Sequence, residues 1–421
     1  MVTLFREYFW HLDSEYTYLD NAASTPPLKT VLESVQNFLL TYGSVHRGAG
    51  KHSEISTDRY ESARKTIGKF INARQGRDVV IFTANTTDAI NRTVLLYPWQ
   101  KGDAVLISDI EHSSNLLPWL KMTKVITFNT NIDYQITPKI IDDQLYYHPE
   151  IRIVAIAGAS NLTGQVIPIK DIYNICRKYN VHLLIDASQL APHYPVSLDD
   201  CDLLAFSGHK MYAPFGIGVL AGRTEILMHT GLAPTGGGNV YYVHPVKGPA
   251  YKNTPWRHEI GTPNSLGAIA MAAAAETLQQ HIGWNKIIDH NQNLTQYFIK
   301  HLTNIPGINL YFPIERLVKQ GIPHTPIAVF DIQGIPSAVV GKILSQENIA
   351  VRCGTFCLYR LIERVKNISL EEREIIYREQ IVNHYDLPDR YHLIRASGGL
   401  MTTEEDIVKL AKVLQFILNY S

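Results

Sequence analysis

The sequence predicts an α/β fold: a mainly parallel sheet of seven strands covered by helices, with a smaller α+β domain towards the C-terminal end. Three observations lead there. Short runs rich in Val, Ile and Leu recur at 79–83, 104–108, 125–129, 153–157, 182–186, 203–206 and 217–221, and end in polar or small residues. Helical patterns such as 87–96 and 169–179 stand between them, and strand–helix alternation builds a parallel sheet buried on both faces. The pattern then changes after about residue 265. From there, Ala-rich 267–281, 292–303 and 404–420 read as helices, and 326–332 and 349–352 as strands.

At 421 residues the chain exceeds one ordinary hydrophobic core. The expected division is a large domain over 18–265 and a small domain from 1–17 with 266–421. Within the latter, 358–392 is strongly charged with helical spacing and reads as an exposed helical insertion.

Composition narrows the function classes. Lys plus Arg balances Asp plus Glu at 39 each, so the excess positive charge that nucleic acid or an anionic membrane surface requires is missing. Four cysteines are too sparse for a disulfide scaffold and fit a reducing compartment. Arg6, Glu7 and Asp13 interrupt the apolar runs near the N-terminus, and no stretch approaches the ~20 apolar residues of a membrane span. The expectation is a soluble cytoplasmic protein with no nucleic-acid or membrane partner.

In such sheets ligands gather beyond the carboxyl ends of the strands. The most informative stretch, LLAFSGHKMYAPFGIGVLAG at 203–222, carries Lys210 to that rim. A desolvated lysine loses its proton, as a Schiff-base nucleophile must; taken alone, the residue also reads as a solvated loop lysine. Asp186 ends the run HLLID. It can pair with the protonated pyridine nitrogen of pyridoxal phosphate (PLP), which makes that ring an electron sink, or simply cap the next helix. Asn85-Thr86-Thr87-Asp88 opens a helix directly after a strand, which makes a phosphate site or, again, a routine cap.

Together these pieces resemble the class V aminotransferase family, most closely its cysteine desulfurase branch, over nearly the whole chain. The resemblance begins with Tyr18-Leu19-Asp20-Asn21-Ala22-Ala23-Ser24-Thr25-Pro26 and continues through Val45-His46-Arg47-Gly48 and Thr86-Thr87. It runs on through Glu111-His112-Ser113-Ser114-Asn115, Ser160-Asn161-Leu162-Thr163-Gly164, Asp186 with Gln189, and Ser207 with His209 and Lys210. It implies a PLP-dependent transferase of fold type I. Thr86, Thr87, Ser207 and His209 would hold the phosphate, His112 would stack on the ring, and Asp186 and Gln189 would meet its nitrogen and oxygen. Lys210 would be the Schiff-base lysine, and Asn161 and Ala23 would lie beside cofactor and substrate. The family is typically a homodimer, and Gly261 and Thr262 match residues that reach the partner's phosphate. Gly236-Gly237-Gly238 is similar to a hairpin near that interface, or is a plain flexible turn.

Val351-Arg352-Cys353-Gly354-Thr355-Phe356-Cys357 resembles the desulfurases' Arg-x-Gly-x-x-Cys loop, with Cys357 at the nucleophile position. A desulfurase needs a thiolate to attack the sulfur of bound cysteine, and Arg352 is a nearby positive charge. The bland alternative for Cys357 is a small buried residue. Cys353 is open between an inert side chain, a resolving thiol and a second sulfur relay; two cysteines are too few for a structural zinc site. Arg395 matches the arginine that grips the substrate carboxylate, a task suited to its planar fork.

Two departures bear on substrate and acceptor: Met401-Thr402 stands where a Tyr-Asn or His-Asn pair is common, and 358–392 lengthens the chain between Cys357 and Arg395. The expected function is conversion of L-cysteine to L-alanine, with a persulfide on Cys357 and an unknown acceptor protein. The alternatives are a PLP-dependent cysteine, cystine or selenocysteine lyase, another class V enzyme such as an aminotransferase or epimerase, and a silent sulfur-transfer scaffold.

Overall fold

The computed structural model describes residues 5–10, 15–228, 234–383 and 387–420; Asp13, from the stretch read for a leader, and 384–386, from the insertion, lie outside them. Seven strands form the large sheet: β1 (Asp78–Thr83), β2 (Ala104–Ser108), β3 (Lys124–Phe128), β4 (Ile151–Ala157), β5 (His182–Asp186), β6 (Leu203–Ser207) and β7 (Gly218–Arg223). Their order across the sheet is β1-β7-β6-β5-β4-β2-β3. Neighbours pair in parallel, except that β7 runs antiparallel to both β6 and β1. The mainly parallel seven-stranded sheet expected from the sequence is therefore present.

The run-like composition of these strands follows from burial on both faces. Alternate residues enter two separate cores: Val80, Leu106, Val154, Ile185, Leu204 and Val219 pack into one, and Ile81, Val105, Ile153, Leu184, Leu203 and Leu220 into the other. Polarity returns where the backbone leaves the sheet, and five strand ends carry it to one edge. Asn85 and Thr86 follow β1, His112 follows β2, Ala159 and Asn161 follow β4, Gln189 follows Asp186, and His209 and Lys210 follow Ser207.

Helices Lys29–Leu39 and Lys51–Phe70 pack against the Ala-rich helix Ser265–Glu276. The latter is buried nearly all round, which is why its sequence lacks a polar stripe. Helix Trp284–Leu302 then lies against Glu404–Tyr420 over a four-stranded antiparallel sheet ordered Ile308–Tyr311, Ile327–Ile332, Leu393–Ser397 and Arg352–Gly354. Leu294, Phe298, Phe330, Ile394, Leu410 and Leu414 fill that core.

The single strand expected at 349–352 is in fact two. Ile349–Ala350 pairs in parallel with Thr17–Tyr18, and Arg352–Gly354 joins Leu393–Ser397. Val351 falls between two partners, so one apolar run serves two ladders. The insertion is helical at Tyr359–Val365 and Leu370–Asn383. It buries Leu361, Ile362, Ile368 and Ile376 while leaving Leu370, Tyr377 and Ile381 exposed. No helix among the described residues is long and apolar enough to cross a membrane.

Candidate active site

The strand ends and the small-sheet loop enclose a cavity of about 410 Å³. Thr86, Thr87, His112, Asn161, Asp186, Gln189, Ser207, His209, Lys210, Cys357, Arg395 and Ala23 all line it. Gly261 and Thr262 do not. They line a separate depression with His46, Arg47, Gly237 and Gly238. Their segment is anchored by Glu259, which accepts from Arg64 Nη2 at 2.7 Å and from Phe82 N at 2.8 Å. The glycine run is pinned as well: Gly261 N donates to Gly237 O at 2.7 Å, just before the exposed hairpin Val240–His244/Gly248–Tyr251.

One end of the cavity is a hydroxyl cradle at the N-terminus of helix Thr86–Leu96. Asn85 caps this helix by accepting from Asp88 N. Thr86 N donates to Ser207 Oγ at 2.7 Å, and Thr86 Oγ1 lies 2.7 Å from Ser188 Oγ and 2.6 Å from Ser207 Oγ. Glycine at 218 is required here, since a Cβ would meet the Asn85 backbone at 2.5 Å. Ser188 carries no signal in the sequence although it stands between Asp186 and Gln189; only its contact with Thr86 gives it a place.

Next to the cradle, at the end of β5, Asp186 Oδ1 accepts from Ser188 N at 2.9 Å. Lys210 faces the cavity and makes no hydrogen bond or ion pair among the described residues. Burial pushes its ammonium pKa down, against the opposing pull of Asp186. Gln189 Nε2 donates to Ala22 O at 2.6 Å, which leaves its second amide hydrogen for a ring oxygen.

His112 caps the turn at Ser113–Asn115: its Nδ1 accepts from Ser114 N at 3.1 Å. The neutral ring therefore carries its proton on Nε2. Burial, with Lys210 adding to it, holds its pKa below the ordinary imidazole value.

Beneath His112 lies a group that the sequence reading quoted without a role. Glu111 is buried and accepts from Ser108 Oγ at 2.6 Å and Asn115 Nδ2 at 2.8 Å; Asn115 Oδ1 in turn accepts from Trp119 Nε1 at 3.1 Å. Burial pushes the Glu111 carboxyl up to about 7 from 4.5. The folded state thus holds a proton that the unfolded state releases, and stability falls as pH rises between those two values, by about 3 kcal/mol in all. Glu111→Gln reproduces the protonated form, with one amide group accepting from Asn115 and the other donating to Ser108. Its melting temperature should vary less than that of wild type from roughly pH 5 to roughly pH 8. An unchanged slope in thermal melts would refute this account.

The loop carrying Cys357 is latched on three sides. Phe356 and Cys357 both adopt positive φ, 55° and 58°. Ser113 N and Oγ donate to Cys357 O, each at 3.0 Å, and Asn161 Nδ2 donates to Phe356 O at 3.2 Å. The Arg395 guanidinium lies 4.9 Å from the Phe356 ring centre. Cys357 is exposed to the cavity, unlike the buried Cys176 and Cys201. Cys353 packs beneath Gly341, where a Cβ would come within 2.5 Å of its sulfur, and burial pushes its thiol up to about 11. These features favour the inert reading of Cys353 over a relay.

Arg395 is 2 % exposed, and burial pushes its pKa down to about 10. Its Nη1 donates to Asn161 O at 3.0 Å and its Nη2 to Asp20 Oδ1 at 3.2 Å, while its buried Nε has no acceptor. Asp20 also takes Arg352, whose Nη2 lies 3.0 Å from Oδ2. Asp20 was legible only as part of the opening motif; its position between two arginines is a tertiary fact. Thr402 Oγ1 accepts from Gly399 N at 3.0 Å, so the Met401-Thr402 departure forms a buried turn before the last helix.

The donor set fits PLP. It offers a hydroxyl and helix-N-terminal cradle for a phosphate, a carboxylate and an unpaired amine lining the same cavity, and a buried arginine N–H with no acceptor.

Comparison with known proteins agrees with this geometry. Residues 17–410 match the model of the family described as aminotransferase class-V. A probable cysteine desulfurase of Halalkalibacterium halodurans is 32% identical over 416 residues, 97% of this chain and 94% of the relative. A cysteine desulfurase of Escherichia coli O7:K1 is 30% identical, covering 95% and 93%. Among solved structures, the cysteine desulfurase CsdA of Escherichia coli superposes with a TM-score of 0.81 at 28% identity, covering 99% of this chain and 98% of its own. The apo cysteine desulfurase of Thermococcus onnurineus NA1 gives 0.83 at 26%, covering 97% and 96%.

Proposed function

The chain belongs to the class V aminotransferases, a PLP-dependent family, and from that premise we propose that it takes sulfur from L-cysteine onto Cys357 and releases L-alanine. The observation that carries the proposal is the placement of Cys357: a cysteine held on a latched loop, facing the same cavity as a free lysine and a buried arginine.

Thr86, Thr87, Ser207 and His209 would hold the PLP phosphate, and Asp186 the pyridine nitrogen. Bound there, PLP supplies a sink for the electrons released at the substrate Cα. Arg395 and Asn161 bind the substrate carboxylate, Arg395 having one N–H, on Nε, that no group of the chain accepts. Lys210 Nζ, whose burial favours the neutral form, removes the Cα proton. His112, with its proton on Nε2, exchanges it with the substrate thiol. Cys357 Sγ bonds to the substrate sulfur as the carbon–sulfur bond breaks; the carbon side is protonated to alanine, and the enzyme keeps the sulfur as a persulfide.

We also propose pairing of two copies, with Gly261 and Thr262 approaching the neighbour's phosphate site. The support is that both open on a depression apart from this chain's own cavity. The physiological acceptor would take the sulfur from Cys357 at the cavity mouth.

Trapping tests the sulfur step. Holoenzyme given limiting L-cysteine and then alkylated should yield alanine and an extra sulfur atom on the Cys357 peptide in equal amounts. Alanine formed with no extra sulfur on that peptide would make the protein a lyase.

A further inference from the structure

A second cavity of about 460 Å³ opens on the insertion and shares no lining residue with the first. Arg360 and Arg364 reach it from helix Tyr359–Val365, and Arg373 from helix Leu370–Asn383; Glu363, Asn129 and Asn367 complete the polar wall. Arg364 is satisfied: it pairs with Asp109 at the end of β2, and donates to Thr130 Oγ1 at 2.9 Å and Asn131 O at 2.7 Å.

The other two arginines are not. Arg360 makes no hydrogen bond or ion pair among the described residues. Arg373 is only partly satisfied: its Nη2 donates to Ile368 O at 3.2 Å, while its buried Nε, 3.2 Å from Glu363 Oε2 but out of line for a hydrogen bond, has no acceptor. Three guanidinium groups thus stand against two carboxylates, Glu363 and Asp109. The pocket keeps a surplus of positive charge and of unused, fork-shaped donors.

We propose that this pocket binds a small phosphate-bearing anion. A single carboxylate is satisfied by one arginine fork. One unpaired and one partly used guanidinium group, with two side-chain amides, match an oxyanion that has several acceptor oxygens. The cavity is larger than the inorganic ion, so the fitting class is a phosphate monoester with a small organic part. The proposal is independent of the desulfurase reading, because neither the residues nor the measurement involves Cys357 or the first cavity.

The test is titration calorimetry on the PLP-loaded full chain. Its arms are inorganic phosphate, ribose 5-phosphate and sodium chloride at matched ionic strength. Saturable binding of ribose 5-phosphate, tighter than that of inorganic phosphate and absent with chloride, is expected. Arg360→Ala should weaken it by about tenfold, the cost of one charge-assisted hydrogen bond, and adding Arg373→Ala should weaken it further. Arg378→Ala, on the same helix but outside the cavity wall, should leave it unchanged. No saturable binding, equal response to chloride, or undiminished binding by the double variant would each overturn the proposal. Tighter binding of the bare ion than of the monoester would overturn the assigned class.

Discussion

Lys210→Ala should fold, take up PLP without a covalent bond to the chain, and turn over L-cysteine slower by roughly three orders of magnitude, within the span for loss of a positioned general base. The size of the effect follows from where the amine stands. It has no competing partner among the described residues, and burial pushes it towards the neutral form, so the chain holds it ready both to bond an aldehyde and to take a proton. The cavity offers no ready substitute: His209 is pushed down to about 4 by burial, too weak a base for the task, and neutral His112 carries a proton on Nε2 while its Nδ1 accepts from Ser114 N, which leaves it a donor with no free lone pair. Borohydride reduction followed by peptide mass analysis should label the wild-type peptide containing residue 210 and leave the variant unlabelled. Wild-type protein without label on that peptide would remove the basis of the proposed chemistry.

Cys357→Ser should retain cofactor and fold while losing sulfur transfer from L-cysteine by on the order of a hundredfold or more, since a hydroxyl cannot carry sulfane sulfur. Serine is the informative replacement. It keeps the size of the side chain, and the latch on the loop is made by main-chain oxygens of Phe356 and Cys357, which the substitution leaves in place. A change in rate then reports the sulfur atom and not a collapsed loop. Alanine release at the wild-type rate by this variant would assign the protein to the lyases. Activity on selenocysteine that survives while activity on cysteine is lost would locate the requirement in cleavage of the stronger carbon–sulfur bond.

The central sheet was legible because its strands are buried on both faces, so each is an unbroken apolar run ending at a polar rim residue such as Asp186 or Ser207. The small sheet was less so. Leu393–Ser397 is a fully buried strand, but it lies just beyond the charged insertion and is only five residues long. Ile308–Tyr311 is partly exposed and carries a weak pattern. Helix Lys51–Phe70 was missed because its polar face dominates the composition, with only Ser56, Tyr60, Ala63, Ile67 and Phe70 buried.

In the site, residues with diagnostic chemistry at a strand end could be picked out, as Lys210 and Asp186 were. Those acting through tertiary contact could not. Ser188 gains meaning only from Thr86, Ser113 only from the Cys357 carbonyl, and Glu111 only from the burial that raises its carboxyl. Gly261 and Thr262 matched a family pattern in sequence, but they stand apart from this chain's cavity, so a part in the site rests on the pairing proposed above.

The carboxylate at position 20 makes two jobs inseparable. It is shared between Arg395, the proposed carboxylate clamp, and Arg352, which begins the segment ending at Cys357, the proposed sulfur carrier. Any anion that draws Arg395 away must loosen its hold on Asp20 and so alter the balance at Arg352. Altering specificity at 395 by protein engineering would therefore also disturb the reach of residue 357, and successful variants should need a compensating change at 20 or 352.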